Sequence, residues 1–498
     1  MNVNPITRLD YPDPDVIRVE DTYYMVSTTM HFMPGCEILQ SFDLVHWEHV
    51  TYVYETLDHT DAQQLKSGQN IYGQGMWAAS LRYHEGRFCI CFVANDTRKT
   101  YLYTSEKIDG PWKKQLIEGF YHDGSLLFDE DGRNYIVYGN DEIWITELNE
   151  DLTAPKKDGL HRLLVSDHKN PELGYEGSHI QKINGYYYIF LVHSLRDRWM
   201  RTEACFYSDS LEGEFTGGDV LCDDRGYCGQ GVAQGGIVDT PDGKWYAMLF
   251  QDSGAVGRIP ILLPVTWKDH FPFFGQNGHV PEEIEVHSTR PGYIYQPLVG
   301  SDDFCNGLLP RWQFNHDPDP RYYHLDALQG TYTITTREVC TELTQAVNTL
   351  TQRMSYPSCA AEVTVDASAL KEGDVAGLCA LQSCYAAVGI TKHHGKYEVL
   401  MLDKKEDGIL DMTEGTVVES HQMDFRLEAD FCNMKDEARC YYRVNKGDWL
   451  PIGTVHKLYF KLDHFTGCRF GLFCYAAEKT GGSACFRDFK YYDVDEIS

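Results

Sequence analysis

Five positions in the first half of the chain share one register, and together they could do chemistry. Asp13, Trp77, Asp123, Glu176 and Gln234 each lie eight residues before a turn landmark, at Asp21, Glu85, Asp131, Asn184 and Asp242. Two carboxylates across a cleft can cleave a glycosidic bond, one protonating the leaving oxygen and the other activating a water. If that water must fit between base and anomeric carbon, the carboxyls stand about 6.5–9.5 Å apart and configuration inverts. One acid must be protonated while the other is ionised, so their environments must differ. A third ionised carboxylate beside the acid would raise its pKa by like-charge repulsion.

Simpler roles compete at each position. Asp13, caged by Pro12 and Pro14 in "PDPD", also reads as a strand cap. Asp123 in "HDGS" also reads as an Asx-turn residue, and Trp77 as a core indole. Glu176 in "GYEGSH" is harder to assign to structure alone, because it sits among glycines just before an apolar strand. Three acids could bind Ca²⁺, yet no loop with an acid at every second residue accompanies them. No G-x-S-x-G elbow supports a serine nucleophile.

The elements that must position these residues are repeated hairpins. "PDPDVIRVEDTYYMVST", "MWAASLRYHEGRFCICFV", "HDGSLLFDEDGRNYIVYG", "YEGSHIQKINGYYYIFLV" and "AQGGIVDTPDGKWYAMLF" each give an apolar strand, a turn of acid or amide usually followed by Gly, and an aromatic-rich strand. Such turn residues tolerate the positive φ that tight hairpins require. The turn landmarks are 64, 46, 53 and 58 residues apart, close to one four-stranded sheet per repeat. Five such units without helical periodicity between them predict an all-β chain that opens with a five-bladed β-propeller, ahead of an all-β sandwich with chance similarity. In a propeller, equivalent positions on the innermost strands converge around one central hollow.

The bulk numbers narrow the class. At 498 residues the chain has room for two or three domains. A formal net charge of −30 argues against nucleic acid or an anionic membrane as partner, whereas a neutral sugar raises no such objection. No apolar run reaches the ~18–20 residues of a membrane helix. The opening "MNVNPITRLD" shows neither a basic n-region nor an apolar h-region, so the expected location is the cytoplasm. The 16 cysteines form no C-x-x-C pair and several sit in apolar alternation, as in "RFCICFV"; they read as reduced core residues. A homo-oligomer is compatible with all of this.

With these residues in view, the chain resembles glycoside hydrolase family 43, the β-xylosidases and α-L-arabinofuranosidases. "NPITRLDYPDPDVIRV" resembles the family's opening around its catalytic base, which implies Asp13 as general base. "HDGSLLFDEDG" resembles the stretch of the pKa-modulating Asp and implies Asp123; "YEGSHIQKINGYYYIF" resembles the general-acid stretch and implies Glu176. "MWAASLRYHEGRF" and "GAVGRIP" imply Trp77 and Arg258 as substrate contacts. From about Ser301, "SDDFCNGLLPRWQFNHDPDP", "NTLTQR" and "GDVAGLCALQ" resemble the concanavalin A-like β-sandwich appended to many of these xylosidases, and "FTGCRFGLF" implies Phe465 at the mouth of the site. The expected domains are therefore a propeller over 1–297 and a sandwich over 298–498. Where family members often carry a His on the fifth blade, this chain has Gln234, which argues against an axial Ca²⁺; no other cofactor is implied. "STTMHFMPG" replaces residues that are often aromatic around the subsite, so Met30, His31 and Phe32 are expected to shape the sugar pocket.

The resulting expectation is an inverting exo-glycosidase that releases terminal β-D-xylose, with α-L-arabinofuranose as the other candidate sugar, from small oligosaccharides. The alternatives are a predominant α-L-arabinofuranosidase and, from another class, a non-catalytic carbohydrate-binding propeller.

Overall fold

The computed structural model describes residues 2–493. Five four-stranded antiparallel sheets follow one another along the chain; four are built from consecutive strands, and the first passes over the short strand Phe32–Met33. Their innermost strands are Asp15–Val19, Met76–His84, Ser125–Phe128, Glu176–Ile183 and Ala233–Asp239. These are the five blades of a propeller, as the repeat spacing predicts. The second strands, such as Arg87–Ala94 and Tyr186–Ser194, are buried almost throughout. Neighbouring blades cover both of their faces, which is why they read as continuous apolar runs rather than as alternation. Hairpins such as those at Glu85–Gly86, Asn184–Gly185 and Asp269–His270 turn on two residues with positive φ, the geometry that matches strand twist.

No blade mixes the two ends of the propeller chain; a short backbone pairing of Asn2–Val3 with Glu283–Ile284 and a few side chains complete the ring. Asn4 does the work of a strand residue against blade 5: its Nδ2 donates to the Leu262 carbonyl at 2.7 Å and its Oδ1 accepts from the Leu262 N–H at 3.1 Å. Arg18 of blade 1 forms an ion pair with Asp239 of blade 5.

Beyond blade 5, which ends with strand Phe271–Phe274, the chain crosses to a sandwich of a nine-stranded and a seven-stranded sheet. The larger sheet recruits a propeller segment as its edge, since Phe32–Met33 pairs with Gln313–Asn315. The main core of the sandwich also takes in Ala255, Val256 and Ile259 from the propeller. Buried Arg353 of the sandwich pairs with buried Glu37 of the propeller at 2.8 Å and lies 4.2 Å from the ring centre of Tyr11. The two units thus share apolar core and buried charge.

Candidate active site

Three local devices aim one side chain from each blade at the centre. In blades 2, 4 and 5 the innermost strand opens with a β-bulge, between Met76 and Ala79, Glu176 and His179, and Ala233 and Gly236. A bulge re-aims the residue it carries. In blades 1 and 3 the same place is held by Asp13 and Asp123 just ahead of the strand, both with left-handed backbone (φ 53° and 48°), which Asp tolerates better than most residues. Blade 4 puts its left-handed residue one place later, at Gly177 (φ 65°), where a Cβ would also meet the Gln234 side chain at 2.7 Å.

The result is a cavity of about 180 Å³ whose wall takes Asp13, Trp77, Asp123, Glu176 and Gln234, one from each blade. That is the scale of a sugar ring rather than of a chain. Arg258 of blade 5 and Phe465 of the sandwich, both predicted, also line this wall. Met30, His31 and Phe32 are not in it, which corrects the expectation that they shape the sugar pocket. Met30 is tied by backbone hydrogen bonds to Met76 behind Trp77. His31 packs in a buried ring cluster, tilted against His316 and edge-on to His464, and Phe32 lies under the Arg469 guanidinium at 3.5 Å. The sandwich edge recruits that segment and turns it away from the cavity. Larger depressions lie on the sandwich sheet and at the domain seam. On the sheet the acids are already paired across strands, as in Glu362–Arg426 and Asp424–Arg443.

Donors hold Asp13 on both oxygens. Thr28 Oγ1 donates to Oδ2, and Arg258 Nη1 donates to Oδ1 at 2.6 Å. Arg258 is fixed in turn by Asp252 (Nε to Oδ1, 3.2 Å) and by Phe465, whose ring centre lies 3.7 Å from the guanidinium carbon. Asp252 also pairs with Arg201, a second buried guanidinium in the cavity wall. Burial first, then the charge of Arg258, lowers the Arg201 pKa to about 9.

Opposite charge surrounds the other two acids. His122 Nε2 lies 3.4 Å from Glu176 Oε2 and 3.6 Å from Asp123 Oδ2. Burial works against its protonation, but Asp123 and Glu176 win and raise the imidazole to about 9. Burial pushes the Asp123 carboxyl up to about 6, with Glu176 and Asp13 adding to the push against the pull of His122. Burial also raises Glu176, yet the hydrogen bond and charge of His122, with Arg201 and Arg258 behind them, bring it net below its ordinary value. Repulsion from Asp123 alone, the expectation from sequence, therefore does not set the protonation of Glu176; an imidazolium lies between the two acids. Asn140 Nδ2 donates to Glu176 Oε2 at 2.6 Å, and the Gly177 N–H donates to Asp123 Oδ2 at 3.0 Å.

Sequence reasoning passed over His122, Asn140 and Arg201. His122 adjoins a chosen acid in "HDGS" but sits off the shared register. Asn140 ends the second strand of blade 3, where no landmark points. Arg201 had a signal in "RTEACFYS", where two charges open an otherwise buried strand.

The axis below the cavity does not fit a calcium ion. Its carboxylate, Asp15, gives one oxygen to Arg82 at 2.8 Å and the other to His179 at 3.1 Å. A hard cation needs six to eight oxygens, and here nitrogen donors occupy the acid.

A five-bladed propeller with three acids and two guanidiniums in its central cavity, closed by a sandwich loop, defines a class of carbohydrate-cleaving enzymes. Residues 3–272 match the model of Glycosyl hydrolases family 43, and residues 301–492 match the Beta xylosidase C-terminal Concanavalin A-like domain. The chain belongs to glycoside hydrolase family 43. A solved bifunctional GH43-CE protein of Bacteroides eggerthii is 41% identical over 100% of this chain with a TM-score of 0.91, and this chain spans 64% of that one. A β-xylosidase of Formosa agariphila is 26% identical over 99% of this chain and 89% of its own length. A GH43 structure, solved in work that engineered both endo-xylanase and exo-arabinofuranosidase activity, is 27% identical over 99% of both chains with a TM-score of 0.88.

Proposed function

We propose that this glycoside hydrolase is an inverting exo-enzyme that removes a terminal β-D-xylose from short xylo-oligosaccharides. The observation that carries the reading is the ring-sized central cavity with Asp13 and Glu176 in its wall, lined also by Phe465 and Leu462 of the sandwich loop. A cavity of that size admits a chain end, not the middle of a chain.

Asp13 acts as general base. Both of its oxygens are oriented by donors, and each keeps a lone pair for the attacking water. Glu176 acts as general acid. It is more exposed than Asp123 (20% against 6% of the side chain), so a proton held by the His122–Asp123–Glu176 cluster reaches substrate through it. In the step, water oxygen bonds to the anomeric carbon and loses a proton to Asp13. The glycosidic C–O pair leaves with the departing oxygen, which takes the Glu176 proton. Asp123 shares the cluster's proton and holds the Gly177 amide. Trp77 and Gln234 wall the ring site, and no cofactor enters the reaction.

The Formosa relative's name supports xylose. A predominant α-L-arabinofuranosidase is the second reading, favoured by the exo-arabinofuranosidase activity of the engineered GH43 relative. Xylose and arabinofuranose present similar hydroxyls, so one contact decides the preference. The free thiols, most of them buried, support a reducing cytoplasmic setting, in which the substrates would be imported oligosaccharides.

Parallel assays on p-nitrophenyl β-D-xyloside and α-L-arabinofuranoside test the sugar. E176Q tests the mechanism. It is expected to lose at least about 100-fold on xylobiose and far less on an activated aryl xyloside, whose leaving group needs no proton. Equal losses on both would overturn the acid's role.

A further inference from the structure

Glu176 receives two nitrogens on one oxygen and none from them on the other. Asn140 Nδ2 lies 2.6 Å from Oε2, and His122 Nε2 lies 3.4 Å from the same atom. An amide NH₂ carries no lone pair, and an imidazolium N–H can only donate. A carboxyl proton placed on Oε2 would face two donors, whereas Oε1 is free of both. We propose that His122 and Asn140 are positioning residues that give the two oxygens of Glu176 different jobs: both bind Oε2, the transferable proton resides on Oε1, and the imidazolium sets the alkaline limit of the reaction. The inference rests on Glu176 as general acid.

The charges facing His122 make the second half of this concrete. Asp123 and Glu176 flank its Nε2, and Asp13 adds a more distant negative charge. Trp77 presents a neutral ring, its centroid 6.1 Å from the imidazole's. On the far side of Glu176 stand Arg201 and Arg258, both already engaged by Asp252. His122 is therefore the one cation of the cluster that touches the acid directly, and its imidazole, raised to about 9, stays charged through neutral pH. A cation at this distance favours the carboxylate, so it makes Glu176 surrender its proton at lower pH than the same acid beside a neutral neighbour. Loss of the proton-bearing form is the alkaline limb of the rate profile.

Two variants separate the two jobs. H122Q keeps a side-chain donor and removes the charge. The alkaline limb of kcat on xylobiose is expected to move up by about one to two pH units. N140D places an acceptor where a donor stood and draws the acid proton onto Oε2. Its kcat on xylobiose is expected to fall about 100-fold, with a much smaller loss on an aryl xyloside carrying a good leaving group. A merely structural role would lower rates on both substrates and leave the limb in place. The inference is overturned if H122Q keeps the wild-type limb within a few tenths of a pH unit, or if N140D loses equally on both substrates. Proton NMR of the wild-type imidazoles, assigned with H122Q, gives a reading that does not depend on activity. His122 is expected to titrate above pH 8, and titration below pH 7 overturns the proposal. A wild-type chain inactive on both sugars would instead bring down the functional reading itself, with this inference.

Discussion

Replacing His464 by leucine should make the protein more resistant to acid. His31, His316 and His464 form a buried cluster where the first blade meets the sandwich, with ring centres 4.8 Å apart for His31–His316 and 5.2 Å for His31–His464. Among the described residues no carboxylate pairs with any of the three, and the cation that His31 and His464 face is Arg469. Burial, before any neighbour, holds His316 and His464 down to about 3 and His31 well below its ordinary value. An unfolded imidazole titrates near 6.5. Between those limits the unfolded chain binds a proton that the folded chain refuses, so each histidine's stability is complete above pH 6.5 and drains away as pH falls. At pH 5 the loss is about 2 kcal/mol for one fully buried histidine.

His464 is the clean place to test this, because neither of its ring nitrogens has a hydrogen-bond partner within the protein. His316 Nε2 accepts the Ile71 N–H, so removing that ring would orphan an amide. H464L removes a titrating group and two unsatisfied polar atoms at similar size. At pH 7 it should be neutral to stabilising, and at pH 5 it should exceed wild type by about 2 kcal/mol. Bulk acid curves cannot isolate the effect. Asp10 and Asp123, raised to about 6 by burial, take up protons first in the folded state and gain stability as pH drops through that value. The difference between wild type and variant cancels them. Urea denaturation at pH 7 and pH 5, read by tryptophan fluorescence and by circular dichroism, supplies that difference. A gap that does not widen on acidification would refute the neutral, buried imidazoles.

The loop that carries Phe465 is expected to undock in G467A, because a Cβ there would meet the Val256 carbonyl oxygen at 2.0 Å; kcat/KM should fall at least about tenfold, and the melting temperature by calorimetry should fall with it, because buried Asp10 loses the Gly467 N–H. D252A strips the shared carboxylate from two buried guanidiniums, Arg201 and Arg258. It should lower stability by about 3–5 kcal/mol in chemical denaturation and abolish turnover, since Arg258 no longer has a fixed place from which to hold Asp13.

The ring of blades was legible because a propeller repeats its local chemistry. Each hairpin needs its own turn residues and its own buried second strand, so the pattern returns five times, and counting back from each turn reaches one central position per blade. The sequence had less to say where a residue depends on its neighbours in space. His122 sits beside a chosen acid, but its partner Glu176 comes 54 residues later and from another blade. Met30, His31 and Phe32 lie in the right stretch, yet strand Phe32–Met33 is claimed by the sandwich at Gln313–Asn315, a pairing between distant segments that no local propensity encodes. Protonation was hardest to read, because it follows from the balance of burial and charge after the blades have met.

Asp10 shows why the second domain is part of the catalytic unit. Its Oδ1 accepts the backbone N–H of Arg258 at 2.7 Å, and its Oδ2 accepts the N–H of Gly467 at 2.8 Å. One buried carboxylate, three residues before the proposed base, thus fixes both the strand that carries the guanidinium on Asp13 and the sandwich loop that carries Phe465. The loop backbone closes the contact again through the Cys468 N–H on the Ala255 carbonyl at 2.8 Å. Phe465 then stacks on the guanidinium that its own loop helped to place. The base, its cation and the cavity mouth are one hydrogen-bonded object built across both domains. A propeller cut free of the sandwich would lose the wall that restricts substrate to chain ends, and with it one of the two groups that Asp10 is held between.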